Sequence, residues 1–142
     1  MDPSTTNGNV SVTASNTCGT SAAQTLSVIT GFCSLNLNVK TFVEGFYISP
    51  ATMTPVLYNN SLSGSSNSVD SVTIELHDQY NPSTISFTTK RIMDVNGNIQ
   101  VILPASFNGS SYYIAILHRN SIETWSKLPV TLGYNTTYDF RY

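Results

Sequence analysis

Residues 71–77 read SVTIELH, a stretch in which apolar and polar side chains alternate at every position. Successive side chains of a β-strand point to opposite faces of its sheet, so Val72, Ile74 and Leu76 share one face. The polar side chains between them share the other face. The alternation therefore predicts a half-buried β-strand.

Three further stretches extend the same pattern. In LNLNVKTFVEG at 35–45, aliphatic side chains that are expected to point inward alternate with Asn36, Asn38 and Lys40, which are expected to point outward. The stretch NIQVIL at 98–103 shows the same period of two. The side chains expected to point inward in these two stretches are Leu35, Leu37, Val39, Val43, Ile99, Val101 and Leu103. In YYIAILH at 112–118 both parities are apolar, which is typical of a central strand that is covered on both faces or carries a surface aromatic on one.

Turn signals and strand count indicate how these segments close. Further strands are expected near 10–14, 24–29, 127–132 and 136–141, and no comparable helical stripe is present. Asn96-Gly97 separates ISFTTKRIMDV from NIQVIL, which predicts a type I′ hairpin because both central residues of that turn need positive φ. The expected fold is an all-β antiparallel β-sandwich of about eight strands.

Composition narrows the possible functions. The 142-residue chain is 40% hydrophobic and only 10% charged, with a net charge of -2, so it lacks the basic stripe that nucleic acid or anionic lipid would need. No apolar run reaches the roughly 18 residues of a spanning helix. Ser, Thr and Asn occupy places where cytosolic domains usually carry Lys and Glu, which is common in secreted β-modules. We therefore expect an extracellular domain that binds neither nucleic acid nor membrane.

The chain has two cysteines, Cys18 and Cys33. A disulfide between them would close a short loop, and the chain-entropy model gives such a bond about 3 kcal/mol. The alternative is two free thiols that act as small apolar side chains in neighbouring strands. The sequence leaves both open.

Catalytic patterns are weak. His77 and His118 both follow apolar runs, and either has Asp78 or Glu123 as a nearby acid, but no nucleophile motif accompanies them. Strand-terminal groups that bond the backbone or face water explain them better. Glycosidases need two carboxylates across a cleft, and no pattern selects a pair such as Glu44 with Glu123. We expect no catalytic residues.

A metal site is also not expected. DVNGN at 94–98 offers alternating oxygen ligands, but an EF-hand loop needs a Glu at its twelfth position and Ala105 stands there. The hairpin interpretation of Asn-Gly is preferred. The sequence predicts neither a metal nor another cofactor.

Of the functions considered, carbohydrate binding is the one that the composition still allows. Small β-sandwiches bind sugars by stacking aromatic rings on the C–H faces of the sugar, while polar groups form hydrogen bonds with its hydroxyls. The candidate ligand-binding residues are Trp125, Tyr113, Tyr47, Tyr58, Tyr80, Arg119, Asn120 and Glu123. Trp125 ranks first because it follows a polar loop, although a core position between sheets is the alternative. Arg119 and Glu123 are expected to pair across the turn and fix the loop that presents Trp125.

The stretch VTIELHD…TTKRIMDVNGNIQVILPASFNGSSYYIAILH resembles the core of transthyretin-like, carboxypeptidase-regulatory and collagen-adhesin B-type repeats. Gly97, Pro104, Gly109 and Tyr113 occupy the matching places, whereas Ile99 replaces the usual aromatic residue. This resemblance implies topology only. It adds an immunoglobulin-like or transthyretin-like arrangement to the expected sandwich.

A longer set of segments, LNVKTFVEGFYI, MTPVLYN, VTIELHD, YYIAILHRNSIETWSKLPV and YDF, resembles a C-terminal module of large secreted Bacteroidota proteins, and HRNSIETW is its most specific part. Such modules accompany glycoside hydrolases and adhesins. GNVSVTASNTCGTSAAQTLSV is similar to the last two strands of immunoglobulin-like or PKD-like repeats, so residues 1–29 are a remnant of such a repeat or a strand pair recruited by the module at 30–142.

Together, the residues and the resemblance predict a non-catalytic module that binds β-glucan-type plant polysaccharide, such as cellulose or related soluble glucans. Its expected partners are this polysaccharide and a covalently linked glycoside hydrolase. The alternative is a structural or adhesin-type spacer of a cell-surface protein.

Overall fold

A computed structural model of the chain describes residues 8–28, 34–48, 50–62 and 65–141. The chain divides into two compact units, Met1–Cys33 and Ser34–Tyr142. In chain order, the strands are β1 Gly8–Val12, β2 Ser15–Asn16, β3 Gly19–Thr20, β4 Gln24–Val28, β5 Ser34–Lys40, β6 Tyr47–Ile48, β7 Thr52–Met53, β8 Ser68–Asp78, β9 Ile85–Asp94, β10 Asn98–Pro104, β11 Ser111–Leu117, β12 Thr124–Trp125, β13 Val130–Thr131 and β14 Asn135–Asp139. One short helix, α1, spans Val56–Asn59, and single 3-10 turns cover Glu44–Phe46 and Ala105–Phe107. The described residues contain no helix long and apolar enough to cross a membrane.

The first unit contains a hairpin. Strand β1 pairs antiparallel with β4, and β2 pairs with β3 inside the same loop. Val10, Val12 and Leu26 lie on one face of the β1–β4 pair because Val10 is opposite Leu26, and all three are more than half exposed. The assignment of residues 1–29 to a preceding repeat or to this fold stays a prediction.

The second unit contains two main sheets. In the five-stranded sheet the order is β12-β11-β8-β9, and β13 pairs with the other end of β11. The three-stranded sheet has the order β10-β5-β14, in which β14 runs parallel to β5. The sequence had suggested antiparallel pairing throughout, but the direction of a C-terminal strand depends on the path of the preceding loop, which a local pattern does not encode.

Both sheets supply one hydrophobic core, and their alternation is the one expected. Leu35, Leu37 and Val39 of β5 are almost fully buried, as are Ile74 and Leu76 of β8. The other core residues are Val43, Met53, Val69, Val72, Met93, Ile99, Val101, Leu103, Ile114, Ile116 and Leu132. The prediction of an all-β fold with antiparallel sheets is confirmed, and the shared core is consistent with a β-sandwich.

The predicted type I′ hairpin at Asn96-Gly97 is wrong. Gly97 has a φ of +80°, but Asn96 is not among the described residues with positive φ. The turn carries the chain from β9 in the larger sheet to β10 in the smaller one, where β10 pairs with β5. Asp94 explains the difference, because its carboxylate accepts hydrogen bonds from the Asn96 and Asn98 backbone N–H groups and closes a different turn.

Candidate functional site

Strand β12 places the only Trp of the chain on the larger sheet. Trp125 lies opposite Ala115 of β11, and Ala115 lies opposite Glu75 of β8. Residues directly opposite on adjacent strands share a face, so these three side chains lie on the same side of the sheet. It is the outer side, because Ile74 and Leu76 on the other parity of β8 belong to the core.

Three rings gather on this outer side, and we call Trp125, Tyr113 and His77 the aromatic platform. The His77 ring centroid lies 4.2 Å from that of Trp125 with an interplanar angle of 45°. Tyr113 lies directly across from His77, and its ring centroid is 6.2 Å from Trp125. Trp125 is 37% exposed whereas Ala115 beneath it is fully buried. The indole is therefore a surface group that covers the sheet, and the alternative of a core Trp is not what the structure has.

Two carboxylates border the platform. The Trp125 Nε1–H group donates to Glu123 Oε1 at 2.5 Å. His77 Nδ1 lies 2.7 Å from the Pro82 carbonyl, which can only accept, and His77 Nε2 lies 3.0 Å from Glu75 Oε2. These bonds hold both rings from their edges. The platform is consequently pre-organised, which limits the entropy lost when a ligand stacks on it.

A second polar cluster lies where β8 begins and β11 ends. Asp70 is 1% exposed, and its Oδ2 atom accepts from Arg119 Nη2 at 2.7 Å and from His118 Nε2 at 3.3 Å. The proton belongs on Nε2 because His118 Nδ1 accepts from the Asn120 backbone N–H at 3.2 Å. His118 thus joins a buried carboxylate to the turn after β11.

The charge of Asp70 is stabilised in place. Burial by itself raises the pKa of the Asp70 carboxyl, but hydrogen bonds from the Ser71 backbone N–H and His118, together with the charge of Arg119, outweigh burial. The net result is a pKa below the ordinary value. Asp70 is therefore a carboxylate at neutral pH and can hold the Arg119 guanidinium firmly.

The expected pairing of Arg119 with Glu123 is wrong. Arg119 bonds Asp70, which lies 49 residues earlier in the chain, and Glu123 bonds the Trp125 indole. A buried carboxylate offers Arg119 less competition from water than an exposed Glu123 does. The loop before Trp125 is still braced at both ends, as the sequence suggested, but by different partners.

Arg119 and Asn120 line an open groove of about 900 Å³ rather than the platform. The groove is lined by Thr41, Phe42, Val43, Glu44, Gly45, Ile116, Arg119, Asn120, Ser121, Ile122 and Thr124. Thr124 points into the groove while its neighbour Trp125 belongs to the platform, as consecutive residues of a strand must. Of the predicted binding residues, Asn120 therefore lies on the other side of β12 from Trp125, whereas Arg119 also lines a second depression at the end of β11.

No match was found with protein-family models, curated proteins or solved structures. The geometry of the described residues is therefore what supports any assignment of function.

The other predicted tyrosines stand apart from the ring contacts of the platform. Tyr47, in β6, packs its ring on Phe42 at 5.5 Å and accepts a hydrogen bond from the Ala51 N–H group. Tyr58, in α1, is 46% exposed, and Tyr80, in the loop after β8, is 88% exposed. Neither makes a ring contact with Trp125 within the described part of the chain.

The remaining predictions concern the cysteines and a metal site. Cys18 is exposed in the first unit, and Cys33 lies outside the described residues, so the disulfide stays a prediction. Among the residues described, no group of three or more His, Cys, Asp or Glu side chains is arranged to hold a metal ion.

His77, Glu75 and Asp70 were not among the predicted site residues. The alternation of SVTIELH already places Glu75 and His77 on the outward face of β8, so the sequence predicts which sheet face they occupy. The sequence does not predict the register between strands, and it is the pairing of β8 with β11 that brings His77 beside Tyr113. Nothing local in the sequence marks Asp70 as the partner of His118.

Proposed function

We propose that residues 34–142 form a non-catalytic carbohydrate-binding module of an extracellular protein. The module binds β-glucan-type plant polysaccharide, cellulose or a related soluble glucan, and directs an attached glycoside hydrolase to it. Its binding surface is the exposed part of the aromatic platform, at Trp125 and Tyr113, and His77, which is only 6% exposed, supports the Trp125 ring.

The observation that carries this proposal is the half-open indole of Trp125, fixed on the outer sheet face beside Tyr113 and His77. Sugar rings present C–H faces that stack on such rings, and a rigid ring loses little entropy on binding.

Polar groups beside the platform suit sugar hydroxyls. The Glu123 and Glu75 carboxylates each retain acceptor capacity beyond the single bonds they make to Trp125 and His77. A hydroxyl that donates to either carboxylate would lie at the edge of a stacked ring. This arrangement favours a neutral polyhydroxy ligand over an apolar one.

Trp125→Leu tests the proposal without opening a hole in the platform, because leucine still covers Ala115 but has no flat face. We expect affinity for cello-oligosaccharides and soluble β-glucan to fall at least about tenfold, which corresponds to about 1.4 kcal/mol. Isothermal titration calorimetry and affinity gel electrophoresis measure this without relying on Trp fluorescence. Trp125→Phe should recover part of the affinity.

Tyr58→Leu is the matched control, because it removes an exposed aromatic ring outside the platform. Its binding should equal that of the wild type. Equal losses in both variants, or no binding of any β-glucan by the wild-type chain, would contradict the proposal. Circular dichroism must show the same fold for both variants.

A spacer or adhesin module is the second candidate. The division of the chain into two compact units favours it, since spacers are built from units in series. This function requires no glycan affinity, so the titration above separates the two candidates.

A further inference from the structure

A shallow depression of about 330 Å³ lies on the larger sheet at the end of β11. Its lining residues are Ser71, Thr73, Lys90, Leu117, His118 and Arg119. Thr73 has Lys90 opposite it on β9 and Leu117 opposite it on β11, so these three side chains share a sheet face. Thr73 also alternates with the core residues of β8, which places the depression on the outer face, as the platform is.

The depression gathers polar groups with unused hydrogen-bonding capacity. The Lys90 ammonium and the hydroxyls of Ser71 and Thr73 have no hydrogen-bond or ion-pair partner among the described residues. Within the described ranges, Arg119 donates one hydrogen bond, from Nη2 to Asp70, and its side chain is 66% exposed. Most of its five N–H donors therefore remain open to a ligand.

Arg119 is held in position before any ligand arrives. The buried Asp70 fixes one end of the guanidinium fork, and His118 fixes Asp70. Because the fork is planar and anchored, its remaining donors keep a direction that suits a second carboxylate.

The charge balance favours one negative group. Lys90 and Arg119 contribute two positive charges, and Asp70 offsets one of them. Within the described part of the chain, no carboxylate lines the depression itself. Two acids of β8 are close to the depression: Asp70, which Arg119 and His118 already bond, and Glu75, which bonds His77.

The depression and the platform lie along one strand. Thr73 and His77 are four residues apart on β8, about 13 Å at the usual rise per residue. An extended polysaccharide that stacks on Trp125 is long enough to reach both. The ligand group that enters the depression is then a substituent of the same chain.

We propose that Lys90, Arg119, Ser71 and Thr73 form an anion subsite, which binds a carboxylate carried by the polysaccharide on the platform. This inference rests on the proposed function and adds a substrate class: β-glucan-type chains that bear acidic substituents. Arg119 and Lys90 neutralise the carboxylate, and the two hydroxyls donate to it.

Carboxymethylcellulose and hydroxyethylcellulose are matched probes, since both have a cellulose backbone and only the first is charged. The chain has a net charge of -2, so general electrostatics disfavour the charged polymer. We expect Lys90→Gln to weaken binding of carboxymethylcellulose by about five- to tenfold and to leave hydroxyethylcellulose unchanged. The difference should shrink as salt is raised.

Lys40→Gln is the control, because it makes the same charge change on β5 of the other sheet. It should alter neither affinity. Equal losses in the two lysine variants, or no loss in Lys90→Gln, would overturn the subsite while binding of hydroxyethylcellulose still supports the platform. Failure of the wild type to bind either polymer would overturn both proposals.

Discussion

Replacement of Gly97 by alanine tests how the two sheets of the second unit are joined. Gly97 has a φ of +80°, and a Cβ atom there would lie 2.1 Å from the Thr41 carbonyl oxygen. The Gly97 carbonyl also accepts a hydrogen bond from the Thr41 N–H group at 3.0 Å. The turn from β9 into β10 therefore fits closely against the end of β5.

The expected destabilisation follows from three contributions. Left-handed backbone at alanine costs about 1 kcal/mol. Displacement of Thr41 weakens one hydrogen bond, which is worth about 1 kcal/mol, and overpacking adds about 1 to 3 kcal/mol. The free energy of unfolding should fall by about 3 to 5 kcal/mol, and the melting temperature by about 12 to 20 °C at about 4 °C per kcal/mol.

Gly109→Ala is the matched control. Gly109 has a φ of +78°, but apart from its two chain neighbours no described residue lies within 4 Å of its hypothetical Cβ atom. It should lose only the backbone contribution of about 1 kcal/mol. Urea unfolding and thermal scans of both variants give the comparison. If Gly97→Ala is no less stable than Gly109→Ala, the close contact with Thr41 does not hold the turn.

Further predictions concern acid and the core. Asp70 has a lowered pKa in the folded chain, so its charge stabilises the fold above about pH 4 and this contribution is lost as the pH falls through the folded value. Asp139, whose pKa the hydrogen bonds from Arg141 lower to about 2, loses its contribution in the same direction. Asp70→Asn should therefore flatten the fall in melting temperature as the pH drops below about 4, and a curve parallel to the wild type would exclude this role. Leu76→Ala, at a fully buried position, should cost about 2 to 5 kcal/mol in urea unfolding, whereas Ile122→Ala, at 89% exposure, should change stability by less than about 0.5 kcal/mol.

Strands were predictable where burial imposes an uninterrupted alternation. SVTIELH, LNLNV and NIQVIL each bury every second side chain, and each is a strand in the structure. Such strands can be predicted from the local sequence alone, since a shift of the strand register by one residue would expose all of the apolar side chains.

Pairing was less predictable because it depends on distant residues. Asn96-Gly97 has the local chemistry of a hairpin, yet the Asp94 side chain and the fit of Gly97 against Thr41 produce a turn between sheets. The parallel pairing of β14 with β5 has the same cause, since no local pattern states which strand a segment will join.

The candidate site was half predictable for a related reason. Trp125, Tyr113 and Glu123 were identified from residue type, and the structure brings them together. Asn120 lies close to Trp125 in sequence, but it lines the groove on the other side of β12, and Arg119 lines both that groove and a separate depression at the end of β11. His77 joins the platform only through the register of β8 and β11.

The central claim is that the outer face at Trp125 contacts a glycan. Because the chain has one Trp, a proton–nitrogen correlation spectrum contains a single indole N–H signal. Titration with cellohexaose should shift that signal in a saturable way, together with the backbone signals of Tyr113 and His77. An indole signal that does not move, at ligand concentrations that saturate binding measured by calorimetry, would contradict the account.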